Sequence, residues 1–264
     1  MSFHRFKREC TQEVGVLCGS DEAQEWLLPW WWSRYSQHCN WPVTFCDFGM
    51  SEMMKIWCRE RGEHVDVDIE ASCITSKEKM DPKVVSKSTG CYADTLWVSR
   101  LQWFKKPFAL LHSPYRIGLW IDSDCEILRP ITELVSTFDP SCQIALSPRP
   151  VLKRKKEEGV YLKSWHNGGV MVFSYGAPII ETWAKGVAEY SHQFVADDLL
   201  LSYLIDLHQL KIQEFPEIYN WRMRQGINFD VAIYHWLGPQ GKEYIRNSGG
   251  LQPLLHGFTE LGLL

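Results

Sequence analysis

The chain has 264 residues, of which 45% are hydrophobic and 13% aromatic, and its formal net charge is −4. This apolar content is ample for a packed core and excludes a disordered chain. The acidic balance, with no stripe of interleaved basic and aromatic residues, argues against a nucleic-acid-binding protein.

Strand and helix signals alternate along the first third of the chain. Residues 14–18 predict a buried strand, and residues 22–38 carry a helical apolar pattern that is interrupted at Pro29. A second strand is predicted at 42–49, a helix at 50–61 that stops at Gly62, and a third strand at 65–69. This alternation predicts βαβ units, and therefore an α/β fold with a mainly parallel central sheet and helices on both faces.

The same alternation continues to residue 208. The predicted elements are a helix over 93–111 with a break at Pro107, strands at 116–121, 143–147 and 168–173, and helices at 178–192 and 197–208. The charge run at 153–158 is typical of a solvated loop, and a mobile lid over a substrate is the alternative. Since no linker or repeat divides the chain, we expect one domain over 1–264.

The sequence also indicates where the protein resides. No apolar run approaches the ~18 to 20 residues of a membrane-spanning helix, and residues 1–9 lack a signal-peptide core. The nine cysteines include no Cys-x-x-Cys pair, which fits reduced thiols better than disulfides or a zinc site. We therefore expect a cytoplasmic protein with at most peripheral membrane contact.

The predicted strand at 116–121 ends at two aspartates one residue apart, Asp122 and Asp124. Ligands of open α/β sheets bind at the carboxyl ends of strands, and two neighbouring carboxylates repel each other unless a cation or proton offsets them. Oxygen ligands suit Mg²⁺ or Mn²⁺, and such an ion could hold a diphosphate. Taken alone, however, Asp-Ser-Asp is more typical of a turn.

A second group of polar residues lies near the C-terminal end. His235 is followed by Gly238, Gly241 and Lys242, in a segment that we interpret as too rich in Gly and Pro for a long regular element. An imidazole can complete a carboxylate-held Mn²⁺ site, glycines let backbone N–H groups approach phosphate, and a lysine adds positive charge. A turn beside a histidine that binds no metal is the alternative.

Four sequence blocks follow one another in a characteristic order. They are residues 106–124, which end in Asp-Ser-Asp; 167–173, Asn-Gly-Gly-Val-Met-Val-Phe; 197–201, Asp-Asp-Leu-Leu-Leu; and 235–242, which begin with His and end with Lys. Together they resemble the retaining glycosyltransferases of family 8 and their bacterial relatives, which adopt the GT-A nucleotide-sugar fold. The family patterns are Asp-x-Asp, Asn-x-Gly-Val, Asp-Gln-x-Leu-Leu and His-x-x-Gly-x-x-Lys. Asp198 stands where that family has Gln, and one extra residue precedes Lys242.

The resemblance implies a donor site and a metal site. It implies that Asp122, Asp124 and His235 bind Mn²⁺ or Mg²⁺. It implies that the nucleotide-sugar donor, a UDP-sugar, contacts Asp21, Lys106, Asp122, Gly238 and Lys242, with Asp21 beside the base. It further implies that Asn167, Asp197 and Asp198 face the sugar and are the catalytic candidates.

These residues suit transfer of a sugar to a saccharide or glycoconjugate acceptor, with the retention of configuration that the resemblance implies. A divalent ion and Lys242 would stabilise the leaving diphosphate, and Asp198 or Asn167 the oxocarbenium-like sugar. The alternative is a non-catalytic binding module for a nucleotide-sugar or carbohydrate, to which the replacement at Asp198 and the displaced Lys242 point. A nucleotidyltransferase is disfavoured because residues 15–21 contain no Lys or Arg.

Overall fold

The computed structural model describes residues 6–87, 95–149 and 162–254. Its strands are β1 Gln12–Ser20, β2 Val43–Asp47, β3 Glu63–Asp66, β4 Tyr115–Ile121, β5 Cys125–Ile127, β6 Ile144–Arg149, β7 Trp165–Ser174, β8 Gln213–Glu214, β9 Trp221–Arg222 and β10 Ile233–His235. Seven of them form a central sheet in the order β3-β2-β1-β4-β7-β6-β8, and the other three form a small sheet in the order β5-β10-β9. Within the central sheet β7 runs antiparallel to β4 and β6, and the other pairs are parallel. The predicted α/β fold with a mainly parallel sheet is confirmed.

Helices cover both faces of the central sheet. They are α1 Leu27–His38, α2 Glu52–Arg59, α3 Pro82–Lys87, α4 Leu96–Trp103, α5 Lys106–Leu111, α6 Thr132–Ser136, α7 Pro178–Tyr190, α8 Asp197–His208 and α9 Gly238–Ser248. Side chains of a strand point alternately to the two faces. Accordingly, Trp120 of β4 packs in one cluster with α5, α7 and α8, whereas Leu119 packs in a second cluster with Trp31 of α1.

The small sheet holds residues 233–235 beside the carboxyl end of β4. Strand β5 follows Asp124 directly, and β10 pairs antiparallel with it, so that His235 lies opposite Cys125. The fully buried carboxylate of Glu126 accepts hydrogen bonds from Trp236 Nε1 at 2.9 Å and from Leu251 N at 2.7 Å. Two segments more than a hundred residues apart in sequence are thereby held together.

Prolines account for two differences from the predicted helices. Pro29 lies in the first turn of α1, which begins at Leu27. The helix predicted over 93–111 is two helices within the described residues, and Pro107 lies at the beginning of α5. Proline is tolerated in the first turn of a helix because its missing N–H has no partner there in any case.

The segment after His235 is more regular than its composition suggests, and the interpretation that it is too rich in Gly and Pro for a long element is wrong. Helix α9 begins at Gly238, with Pro239 in its first turn, and ends at Gly249 in a left-handed conformation. Proline at the start and glycine just past the end are the usual helix signals. The third strand also differs, since β3 begins at Glu63 rather than at 65.

Three further predictions concern features away from the central sheet. The charge run at 153–158 lies outside the described residues. All eight cysteines that the structure describes are free thiols, as predicted. In the described part of the chain, no helix has the length and apolar character needed to cross a membrane.

Candidate active site

A cavity of about 450 Å³ opens at the carboxyl ends of β1 and β4. These two strands are parallel neighbours, so the residues that follow them share one edge of the sheet. Of the predicted site residues, the cavity is lined by Asp21, Lys106, Asp122, Asp124, Gly238 and Lys242. Its apolar wall includes Phe48 and Trp120, whose rings stack with centroids 6.3 Å apart.

The two aspartates of the Asp-Ser-Asp turn have different partners. Asp122 accepts a hydrogen bond from Trp120 Nε1 at 2.6 Å, and its Oδ1 lies 3.1 Å from Lys106 Nζ. Asp124 is buried and lies 2.7 Å from Lys242 Nζ. Burial opposes the charged form of Asp124, but Lys242 and His235 outweigh it and hold the pKa of this carboxyl well below its usual range. The Asp124 carboxylate is therefore ionised at neutral pH.

His235 comes from β10 in the small sheet and points at both aspartates. Its Nε2 lies 3.2 Å from Asp124 Oδ1 and 3.8 Å from Asp122 Oδ2. Its Nδ1 lies 2.9 Å from the side-chain oxygen of Asn220. The ring occupies space that only glycine leaves free, because a Cβ at Gly169 would stand 2.1 Å from His235 Cε1.

The donor set of Asp122, Asp124 and His235 fits a Mn²⁺ or Mg²⁺ ion. Neighbouring ligands around an ion with bonds of about 2.1 Å stand about 3.0 Å apart. The 3.2 Å between His235 Nε2 and Asp124 Oδ1 is close to this value, and the 3.8 Å to Asp122 Oδ2 is longer. Carboxylate oxygens with one imidazole suit Mn²⁺ in particular. The space beside Gly169 and the ionised state of Asp124 both favour this arrangement.

Cys125 lies close to Asp124 and His235, with ligand atoms near enough to share an ion. Cys125 is buried, and thiolates suit soft ions such as Zn²⁺ or Cu⁺ better than Mn²⁺ or Mg²⁺. Its sulfur also lies 3.8 Å from the carbonyl oxygen of Gly169. Cys125 is therefore a core residue, and Asp122 is the better third ligand.

Lys106 connects Asp122, a predicted metal ligand, with Asp197, which was predicted to face the sugar. Its ammonium lies 3.1 Å from Asp122 Oδ1 and 3.2 Å from Asp197 Oδ2, and it donates to the carbonyl oxygen of Gly168 at 3.0 Å. Burial opposes its charge, but the two carboxylates outweigh it and raise the pKa of Lys106 above its usual value. This residue stays charged and holds the beginning of α8 near the end of β4.

The remaining catalytic candidates lie on the far side of Lys106. Burial raises the pKa of Asp197 to about 6. The Lys106 ammonium opposes this rise, and the Asp198 carboxylate adds to it. Asp198 lies 3.4 Å from Arg149 Nη1 and 3.5 Å from Asn167 Nδ2. The register between β6 and β7 shifts beside Asn167, and such a bulge turns a strand side chain out of its regular direction. All of the residues predicted to face the sugar are therefore neighbours.

The extra residue before Lys242 does not carry it away from the site. Gly238 begins α9 with a φ of 78°, and Lys242 lies one turn later on the same face of the helix. The Lys242 ammonium reaches Asp124 at 2.7 Å. Glycine is needed at residue 238 because other residues rarely adopt this φ.

Sequence reasoning missed several residues of the site. Asn220 and Arg149 belong to no family pattern, and they were not predicted to contribute. Gly169 is the glycine of the Asn-x-Gly-Val pattern, but no role was predicted for it. For Gly169, the doubled glycine inside a strand was an available signal, since glycine in a strand often marks a bulge or a close approach. Nothing in the sequence around Asn220 or Arg149 distinguishes them from other polar residues.

A second group of possible metal ligands lies at the ends of β2 and β3. It comprises Asp47, His64 and Asp66. The ammonium of Lys55 already lies 3.4 Å from Asp47 Oδ2, and backbone N–H groups of Gly49 and Met50 occupy Oδ1. Asp47 is thus compensated by the protein itself.

The chain matches no family model and no curated protein sequence. Its fold does match solved structures. Mouse xyloside xylosyltransferase 1, in its apo form, superposes with a TM-score of 0.53 over 85% of this chain and 97% of its own, at 15% identity. The galactosyltransferase LgtC, in complex with donor and acceptor sugar analogues, gives 0.56 over 95% and 100%, at 13% identity. This is the GT-A glycosyltransferase fold.

A third GT-A structure extends the likeness. The glycosyltransferase GlyE of Streptococcus pneumoniae TIGR4 matches with a TM-score of 0.55 over 96% of this chain and 64% of its own, at 13% identity. The GT-A fold that the four sequence blocks predicted is therefore confirmed. In the present chain it positions Asp122 and Asp124 at the carboxyl end of β4, beside the cavity.

Proposed function

We propose that this chain is a metal-dependent glycosyltransferase that moves a sugar from a UDP-sugar to a saccharide or glycoconjugate acceptor with retention of configuration. The supporting observation is the convergence of Asp122, Asp124, His235 and Lys242 at the carboxyl end of β4, although they come from two segments far apart in sequence. Four such groups at one strand end, within the GT-A fold, suit a diphosphate and its cation.

The cavity provides separate surfaces for the parts of the donor. Phe48 and the neighbouring apolar wall offer a flat face to the base, and Asp21 offers a carboxylate for hydrogen bonds to it. Gly238 and Lys242 also line the cavity, and a diphosphate beside them would meet positive charge. A bound Mn²⁺ or Mg²⁺, held by Asp122, Asp124 and His235, would supply Lewis-acid stabilisation to that diphosphate.

In the transfer itself, the bond between the anomeric carbon and the diphosphate oxygen breaks, and its electron pair leaves with UDP. The acceptor hydroxyl oxygen forms the new bond to the anomeric carbon, and over the whole reaction its proton is released to solvent. Lys242 stabilises the negative charge that grows on the leaving group. Lys106 holds Asp122 and Asp197 in place.

The positive charge on the sugar develops near the other carboxylates. Asp197 and Asp198 stand at the beginning of α8. Asn167 lies between them and the proposed metal ligand His235. An ionised carboxylate or an amide oxygen stabilises an oxocarbenium-like state. We assign this role to Asp198 and Asn167, with Asp197 as the partner of Lys106.

A non-catalytic binding module is the second candidate, and one observation favours it. Asp198 lies within reach of Arg149 at 3.4 Å, and this pairing reduces the negative charge that Asp198 presents to a sugar. The displaced Lys242 no longer supports the alternative, because its ammonium reaches Asp124.

Nucleotide release with a panel of UDP-sugars, Mn²⁺ and saccharide acceptors distinguishes the two. We expect acceptor-dependent release of UDP, a product of retained anomeric configuration by NMR, and a loss of at least about 100-fold in Asp124→Asn. Asp139→Asn, at an exposed carboxylate, is the matched control and should retain full activity. Metal-dependent donor binding without any UDP release would instead establish the binding module. Failure of every donor to bind would contradict both.

A further inference from the structure

Asn220 connects His235, the proposed metal ligand, with Asn167, which is proposed to face the sugar. It is fully buried, and its amide lies between two residues of the site. Its Nδ2 lies 2.9 Å from Asn167 Oδ1, and its Oδ1 lies 2.9 Å from His235 Nδ1. A buried amide with a partner at each end is held in one orientation.

A backbone N–H determines the direction of every hydrogen bond in the series that runs from Gly169 through Asn167 and Asn220 to His235. The N–H of Gly169 points at the Asn167 side chain over 3.1 Å and can only donate, so the atom facing it is Oδ1. That oxygen also faces Asn220, which must therefore present its Nδ2 group. The other end of the Asn220 amide is then an oxygen, which can only accept. Consequently Nδ1 of His235 must carry a proton.

The contact between Asn167 and Asp198 leads to the same orientation of the Asn167 amide. With Oδ1 directed at Gly169, Asn167 turns its Nδ2 toward Asp198 Oδ2 at 3.5 Å. A carboxylate accepts from an amide nitrogen but would repel an amide oxygen. Reversal of any one amide would therefore place two like groups face to face.

We propose that Asn220 is a positioning residue that keeps a proton on His235 Nδ1 and so reserves Nε2 for the metal. The inference rests on the proposed function, in which Nε2 binds the ion together with Asp122 and Asp124. Partners of this kind orient a ligating imidazole and fix its tautomer. The same amide also orients Asn167, so one buried side chain serves both the metal ligand and the sugar-side amide.

Two substitutions at residue 220 separate this role from a merely structural one. Asn220→Leu keeps the approximate shape but removes the acceptor for His235, and we expect the Kd for Mn²⁺ to rise about 10- to 100-fold. Asn220→Asp keeps an acceptor for His235, but it loses the donor to Asn167 and adds a negative charge. It should bind Mn²⁺ at least as tightly as the wild type while losing sugar transfer. Free Mn²⁺ measured by electron paramagnetic resonance reports both affinities, and equal weakening in both variants would contradict the proposal.

The protonation of His235 provides a second readout that needs no variant at residue 220. In protein with ¹⁵N-labelled histidines, two-bond proton–nitrogen correlations show which ring nitrogen carries hydrogen, and His235→Gln assigns the signals. We expect a proton on Nδ1 both without metal and with Mg²⁺. A wild-type ring protonated on Nε2 alone would overturn the inference. If the wild type bound no Mn²⁺, the proposed function would fail, whereas the metal-free spectrum would still test Asn220.

Discussion

Gly169 lies directly against the imidazole of His235, and a Cβ at residue 169 would stand 2.1 Å from Cε1 and 2.4 Å from Nδ1. The contact connects β7 of the central sheet with β10 of the small sheet. Because the Asp122 N–H also donates to the Gly169 carbonyl at 2.8 Å, one glycine positions both the turn of the aspartates and the histidine. The neighbouring Gly168 has no such restriction, since a Cβ there would have ordinary contacts of 3.7 Å or more.

These two glycines provide a matched pair of variants. Gly169→Ala should displace the His235 ring and raise the Kd for Mn²⁺ at least about 10-fold. Gly168→Ala should leave Mn²⁺ affinity within about 3-fold of the wild type, because no side chain has to move. Titration calorimetry with Mn²⁺ measures both. Equal affinities in the two variants would show that His235 does not contribute to metal binding.

Lys242 is expected to have opposite effects on the metal and on the nucleotide. Its ammonium lies 2.7 Å from Asp124, so it competes with a cation for that carboxylate in the free protein. Lys242→Met should therefore bind Mn²⁺ at least as tightly as the wild type, while its affinity for UDP in the presence of Mn²⁺ falls about 10-fold or more. Lys211→Met, at an exposed lysine, is the control for loss of charge. Tighter UDP binding by Lys242→Met would contradict the proposed phosphate contact.

Arg100 should be essential for the stability of the cavity wall. It is buried, and its guanidinium donates to the carbonyl oxygens of Thr75, Ser191 and Phe194. Its helix, α4, lines the cavity. Since Arg100→Met leaves buried carbonyls without donors, we expect the free energy of unfolding to fall by about 3 kcal/mol. Arg116→Met, in an exposed ion pair with Glu13, should change it by less than about 1 kcal/mol. Urea denaturation compares the two, and similar losses would contradict this assignment.

His112 makes the fold sensitive to acid. Burial, assisted by Arg8, lowers its pKa to about 4 from an ordinary value of 6.5. Between these values the unfolded chain binds a proton that the folded chain does not, so His112 lowers stability as pH falls from 6.5 to 4. The free energy of unfolding changes through this group by at most about 1.4 kcal/mol per pH unit. His112→Phe should show a smaller loss of unfolding free energy between pH 7 and 4.5, and identical losses in the two proteins would refute the assignment.

The inner strands of the central sheet were predictable because they are buried on both faces, whereas the short edge strand β8 was not predicted. Strands such as β1 and β4 appear as continuous apolar runs, and β1 is followed by a helix with its own periodicity. Helix α8 was predicted with its observed limits. The sequence blocks also pointed to Asp122, Asp124 and Lys242, which the structure places together at one cavity.

The small sheet could not be predicted from the sequence. Strands β9 and β10 contain two and three residues, which is too short for a period of two to be visible. Their positions depend on long-range contacts, such as those of buried Glu126 with Trp236 and Leu251. For the same reason Asn220 gave no signal, since its role follows from two neighbours that lie far away in sequence.

The most direct test of the central claim is the binding of UDP with and without Mn²⁺, measured by titration calorimetry on the wild type and on Asp124→Asn. The proposed function predicts binding by the wild type with Mn²⁺, loss of at least about 100-fold in affinity when EDTA replaces the metal, and a similar loss in Asp124→Asn. Equal UDP affinity with and without metal, or full affinity in Asp124→Asn, would contradict it.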